Sequence, residues 1–161
     1  MKSIILILVG FVIGIAMTLL LFIKIFPSQM ILTRESMYGM DETVDMIDQN
    51  SEKNGWAVLK IWDLNDRMVN AGYDEAPQVK VLELCHAENT YEVLKNEDDL
   101  LISAIMPCRM AVYEYDNGKT FISRMNIGLM SRFFSSNVRS VMKGVADDDE
   151  KILDGIIKAA E

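Results

Sequence analysis

Cys85, His86, Cys108 and Arg109 are the residues whose types and spacing could do chemistry in this chain. Two thiols and an imidazole form a soft donor set, suited to Cu(I), zinc or haem iron. The same thiols could cycle between dithiol and disulfide, with the Arg109 guanidinium holding a thiolate. Arg109 could also clamp a carboxylate or phosphate on a small ligand. Against these stands a plain role: cysteines are often small buried hydrophobes, and two can pair in an oxidising compartment. For His86 alone, an exposed residue at a helix entry is the favoured reading. Met106 and Met110 flank Cys108, but most of the 12 methionines sit at core-like positions as gap fillers. Glu83 and Glu114 lie mid-strand and are expected to pair with Arg109 or Arg124 rather than to act as paired catalytic carboxylates. The chain has no CxxC, P-loop, nucleophile elbow, dinucleotide fingerprint or zinc-protease helix, which weighs against the common enzyme classes.

These residues must be positioned by a small set of elements. Residues 79–85 read as a strand ending in Cys85, and residues 87–95 as a short helix with Tyr91 and Leu94 facing in. Residues 100–105 read as a short strand, interrupted by Pro107 and resumed over 109–115. Asp116-Asn117-Gly118 then signals a hairpin, with the returning strand at 119–126. Upstream, residues 30–38 look extended, Asp41 caps a helix running to about Asn50, and 56–64 read as a strand. In that strand Val58 and Trp62 are expected on one side, Leu59 and Ile61 on the other. A short helix is expected over 65–70, and a vaguer one carries Leu129, Phe133 and Phe134. The acidic run at 147–150 suits the N-terminus of a last helix with Ile152, Leu153, Ile156, Ile157 and Ala160 as its apolar stripe. This order predicts an α+β two-layer sandwich (β-α-β(4)-α-like), with a mostly antiparallel sheet and helices on one face.

An N-terminal segment stands apart. Residues 4–23 contain no charge, and only Thr18 is polar. At about 1.5 Å per residue they span roughly 30 Å, the thickness of a hydrocarbon core. Lys2 and Lys24 close the two ends. The run is longer than a signal peptide's apolar region and is followed by no small-residue cleavage site, so a retained anchor is expected. Gly10, Gly14 and Thr18 share one face, a pattern that lets two helices approach and could support a homodimer. The expected organisation is an anchor over residues 1–26 and one soluble domain over 27–161. Flanking charges nearly balance across the span, and an exported domain on the periplasmic or extracellular side of a bacterial or archaeal inner membrane is the favoured topology. The chain carries 16 basic and 24 acidic residues; without Lys2 and Lys24 the balance is 14 against 24, about −10. Such a domain should repel nucleic acid and anionic headgroups as a whole.

Several motifs coincide in order and spacing. Gly55-Trp56 opens a strand that ends in Asp63-Leu64, and Val81-Leu82-Glu83-Leu84-Cys85-His86-Ala87 enters a helix. Met106-Pro107-Cys108-Arg109-Met110-Ala111-Val112-Tyr113-Glu114 then precedes the Asp116-Asn117-Gly118 turn. In these features the chain resembles the domain of unknown function 302 family, over roughly residues 30–160. The resemblance implies a compact α+β domain in a layout also seen in TATA-binding-protein-like folds, often dimeric, with no implied DNA binding and no established reaction. One departure is visible: the family usually follows the first cysteine with a small polar residue and proline, and here His86-Ala87 stands instead. The expected function is a membrane-anchored, non-enzymatic module binding a small ligand, a soft metal, haem or a partner near Cys85, His86, Cys108 and Arg109. The alternatives are a thiol-redox protein using Cys85 and Cys108, and a structural homodimerisation module.

Overall fold

The computed structural model describes residues 2–74 and 76–159, with side chains described from Gly10 onward. Helix α1 (Lys2–Met30) contains a stretch, Gly10–Met30, long and apolar enough to cross a membrane. It continues through Pro27 to Met30 instead of ending near Phe26, and the Ser28 hydroxyl donates to the Ile25 carbonyl in its last turn (2.7 Å). Five strands follow: β1 (Ile31–Glu35), β2 (Ala57–Asp63), β3 (Val79–Cys85), β4 (Cys108–Glu114) and β5 (Thr120–Met125). They form one antiparallel sheet in the order β1-β5-β4-β3-β2. Helices α2 (Met40–Lys53), α3 (Leu64–Val69), α4 (Ala87–Leu94), α5 (Ile127–Met130) and α6 (Ser136–Leu153) complete the chain, with 3-10 turns at Glu97–Ile105 and Ser131–Phe133.

Alternation along the inner strands builds the core. Leu82 and Leu84 of β3, Met110 and Val112 of β4 and Ile122 of β5 are buried toward the helices. Val44 and Ile47 of α2, Val93 of α4 and Val138, Met142, Val145 and Ile152 of α6 close over them. The β4–β5 hairpin turns where Asn117-Gly118 predicts, with Gly118 at φ +74°. The α+β two-layer architecture is as expected from the order of elements.

Several local expectations are overturned. The N-cap of α2 is Gly39 and not Asp41, which lies in the first turn of the helix and pairs with Lys80 Nζ (2.6 Å). Residues 100–105 lie in the 3-10 turn Glu97–Ile105, not in a strand. Its start is pinned by Asp99, which accepts from Ser135 Oγ (2.7 Å) and Asn137 Nδ2 (3.1 Å) of the α6 N-terminal region. In α4, Leu94 packs against the core as expected, but Tyr91 is 66% exposed and Val93 takes its inward place. In β2 the register shifts between Val58 and Lys60, a bulge at Leu59. Val58 and Ile61 therefore oppose the core residues Leu84 and Leu82, while Trp62 turns to the other face under Lys60 Nζ, 3.5 Å from its ring.

A further correction concerns α6. The acidic run does not start this helix; it forms its last turns. The helix begins eleven residues earlier than Asp147, counted from Ser136, where Ser135 Oγ accepts from Val138 N. Carboxylates near a C-terminus oppose the helix dipole. Here Asn50 Nδ2 donates to the Ile152 carbonyl (2.9 Å), which satisfies an end group, and Asp149 is drawn inward by Arg124. Leu153 ends the helix, and Ile156 and Ile157 lie beyond it beside β1, where Met37 N donates to Ile156 O (2.8 Å). Ala160 lies outside the described residues.

Candidate functional site

The site grows from the ends of two neighbouring strands. Leu84 lies opposite Cys108 in the β3–β4 ladder, so Cys108 faces the helix layer. Ideal alternation would turn Cys85, the next residue, to the other face. Cys85 is the last residue of its strand, however, and its Sγ lies 3.4 Å from Thr90 Oγ1 in α4. Both cysteines are free thiols and half-buried. The Met106–Pro107 peptide that leads into Cys108 is cis.

His86 is the N-cap of α4. Its Nδ1 accepts from Asn89 N (3.4 Å), which places the proton of the neutral ring on Nε2. The imidazole meets the Trp56 ring edge-on, with centroids 5.4 Å apart. Trp56 itself is 4% exposed, and its Nε1 donates to Asp148 Oδ2 (3.3 Å) on α6. Gly55, at φ +79°, lies against the imidazole: a Cβ there would sit 3.3 Å from His86 Nε2. The Gly-Trp pair thus has a local physical role, making room for His86 and walling it in.

Cys85, His86 and Cys108 line one cavity of about 230 Å3, together with Trp56, Leu84, Thr90, Leu94 and Val145. Met106 and Met142 also line it, so four sulfur-containing residues surround the space. A second, smaller void of about 30 Å3 lies alongside and shares Met106, Cys108 and Met142 as a partition. Arg109 does not join the larger cavity. As the residue after Cys108 it points to the open face of the sheet, where its Nη2 pairs with Glu83 Oε1 (3.0 Å). Of the four residues singled out by type, three converge and the fourth is spent on a surface ion pair. Among the described residues, no three His, Cys, Asp or Glu side chains are grouped to hold a metal ion. Binding through His86 Nε2 would need the other tautomer, with the proton on Nδ1 and the hydrogen bond from Asn89 N lost.

Electrostatics divide the thiols' surroundings sharply. Burial, reinforced by Asp149 and Cys85, pushes the Cys108 thiol up to about 12. Burial also pushes Asp149 up to about 6, against the pull of Arg124 (Nη1–Oδ2 3.4 Å). Arg124 is 5% exposed at its side chain and pairs as well with the outer carboxylate Glu150. This Arg124–Asp149–Glu150 group was not among the residues expected from type and spacing. The sequence offers Arg124 a mid-strand glutamate as one possible partner, and only the true phase of α6 brings Asp149 beneath it.

With this geometry in view, comparisons with known proteins decide the family. The profile described as "Domain of unknown function DUF302" matches residues 32–160. The chain belongs to the DUF302 family. The matched region contains all five strands apart from the first residue of β1, and it leaves out helix α1. The fold is similar to that in the crystal structure of an uncharacterized conserved DUF302 protein from Bacillus stearothermophilus, with a TM-score of 0.69 and 21% identity over 78% of this chain and 96% of that one. No curated protein matches the chain.

Proposed function

We propose that this DUF302 chain is a single-pass membrane-anchored binding domain, with a small, weakly polar ligand held in the cavity formed by Cys85, His86 and Cys108. The observation that carries the reading is that cavity itself: about 230 Å3, placed between the ends of β3 and β4 and helices α4 and α6. Drug-sized pockets run to roughly 300–1,000 Å3, so the ligand is smaller. The lining sets its character. Thr90, Asn89 and the His86 ring supply a few polar groups in an otherwise apolar, sulfur-rich wall. Cu(I) is a second candidate of a different kind: it would need only the cysteine and methionine sulfurs of the lining, with the thiol protons released on binding and no share from His86. The anchor reading is supported by the apolar stretch of α1, and the exported topology remains the preferred one.

The thiol-redox alternative requires a usable thiolate. Burial pushes the Cys108 thiol up to about 12, so it stays protonated at neutral pH. Arg109, the cation expected to help, is engaged with Glu83 on the other face. Binding therefore fits the cavity better than exchange.

Native mass spectrometry of the full-length chain, purified in nonionic detergent without chelators, tests the proposal. The wild type should carry, or take up from added Cu(I) or indole, a bound mass that denaturation releases. Val145→Phe, which fills the cavity from α6, should abolish either uptake, and Cys85→Ser with Cys108→Ser should abolish Cu(I) alone. A wild type that carries nothing and takes up neither probe sinks the reading.

A further inference from the structure

A second place on the molecule has the chemistry of a binding site, and it lies where α1 meets the domain. An open groove of about 840 Å3 runs from Gln29, at the end of α1, past α5 to the outer face of α6. Arg132, Arg139 and Lys143 line it. All three are exposed, and among the described residues none makes an ion pair with a carboxylate. Arg139 is instead turned across the groove, its Nη2 donating to the Arg132 carbonyl (2.8 Å). Ser136, Arg139, Ser140 and Lys143 recur at helical spacing, so one face of α6 presents both cations and hydroxyls. A single carboxylate, Asp147, stands at the far end.

The position of the groove relative to α1 is fixed by contacts. Asn126 Nδ2 donates to the Gln29 carbonyl (2.9 Å), and Asn126 N donates to the Met30 carbonyl (2.8 Å). Phe133, 66% exposed, meets Phe26 edge-on with ring centroids 5.7 Å apart. The apolar run of the helix gives way to charge at Lys24, and Gln29 follows about 7–8 Å further along the axis. A headgroup layer is roughly 5–8 Å deep on each side of the hydrocarbon core. The groove therefore opens at headgroup level, with Phe133 directed toward the apolar boundary.

We propose that this groove binds the phosphate of an anionic phospholipid in the leaflet on the domain's side, through Arg132, Arg139 and Lys143. The inference rests on the anchor reading of α1. The overall acidity of the chain does not oppose it. Charges further than about 8 Å apart are largely screened at physiological salt, so the local cations set the field that a headgroup meets. A pair of arginines and a lysine flanked by serine hydroxyls can both neutralise a phosphodiester and donate to its oxygens. The site would orient the domain on the membrane and keep its acidic surface away from it.

The test uses the full-length chain in nonionic detergent, titrated with phosphatidylglycerol or phosphatidylcholine of the same acyl length and read by native mass spectrometry. The wild type should retain phosphatidylglycerol at concentrations on the order of 100-fold lower than phosphatidylcholine, given about fivefold per basic residue near anionic lipid. Arg132→Gln/Arg139→Gln/Lys143→Gln should remove that preference, and Arg139→Gln alone should reduce it about fivefold. Lys60→Gln/Arg67→Gln/Lys95→Gln, with the same net charge but no groove residue changed, should keep it. Equal uptake of the two lipids by the wild type, retained preference in the groove triple, or loss in the control triple overturns the proposal. Displacement of the lipid by millimolar inorganic phosphate overturns the choice of a lipid as occupant. A chain that stays dispersed without detergent refutes the anchor instead, which keeps the two failures apart.

Discussion

Arg124→Met is expected to cost the domain about 3–5 kcal/mol at pH 8, the usual penalty for removing one partner of a buried ion pair, and clearly less at pH 5. Arg124 and Asp149 both have 5% side-chain exposure, and Arg124 is the cation that holds Asp149 down against burial. The pH dependence follows from the direction of the Asp149 shift. Its folded value of about 6 lies above the ordinary 3.8, so the folded state binds this proton more tightly than the unfolded chain. That contribution to stability is fully present below pH 3.8 and is lost as pH rises through about 6. At pH 5 a methionine at position 124 faces a mostly neutral acid. At pH 8 it faces a bare carboxylate with no buried partner. Asp149→Asn should flatten the profile between pH 4 and 6, because the amide does not titrate. Urea unfolding of the detergent-solubilised full chain at the two pH values measures both effects. An equal loss for Arg124→Met at pH 5 and pH 8 would show that the pair does not control this group.

Trp56→Ala should be as damaging, for a different reason. The indole is 4% exposed, packs on His86 and forms a wall of the cavity. Truncating a buried tryptophan costs about 3–5 kcal/mol, part transfer and part void. Here the void would merge with the existing 230 Å3, so ligand retention should fall with stability. Trp56→Phe separates the contributions. It keeps an aromatic ring against His86 but loses part of the indole's buried area together with the Nε1 hydrogen bond to Asp148, which at 3.3 Å is a long one worth about 1 kcal/mol. Thermal unfolding of the three proteins should rank wild type above Trp56→Phe and Trp56→Phe well above Trp56→Ala. A Trp56→Ala midpoint within a degree of wild type would mean that the ring does not support this end of the core.

The inner sheet was legible because period-two alternation, the Asn117-Gly118 turn and the strand-end cysteines all act locally. Strands β3, β4 and β5 came out within a residue or two of their expected bounds. The bulge at Leu59 was not legible, since one extra residue on an edge strand leaves the composition unchanged while exchanging the faces of Ile61 and Trp62. The start of α6 was hidden for a related reason. Its inward residues Val138, Met142 and Val145 do keep helical spacing, but the serine-rich start and Gly144 obscure it, and the acidic run looked like a helix start although it belongs to the other end. The convergence of Cys85, His86 and Cys108 was foreseeable from adjacent strand ends. Trp56, Asp148, Asp149 and Arg124 were not, because their contacts join elements far apart in the chain. Arg109 could have been set aside by parity alone: it follows Cys108, so an extended strand turns it away from that thiol.

On the anchor reading the N-terminal helix sets where the rest of the molecule works, and its retention can be measured directly. Membranes from cells making the native chain, washed with alkaline carbonate, should retain the protein, and peptide mapping of the retained protein should find residues 4–23 still joined to the domain. Recovery in the soluble fraction as a shorter product, beginning after the apolar stretch, would contradict the anchor and remove the bilayer from the environment of both proposed sites.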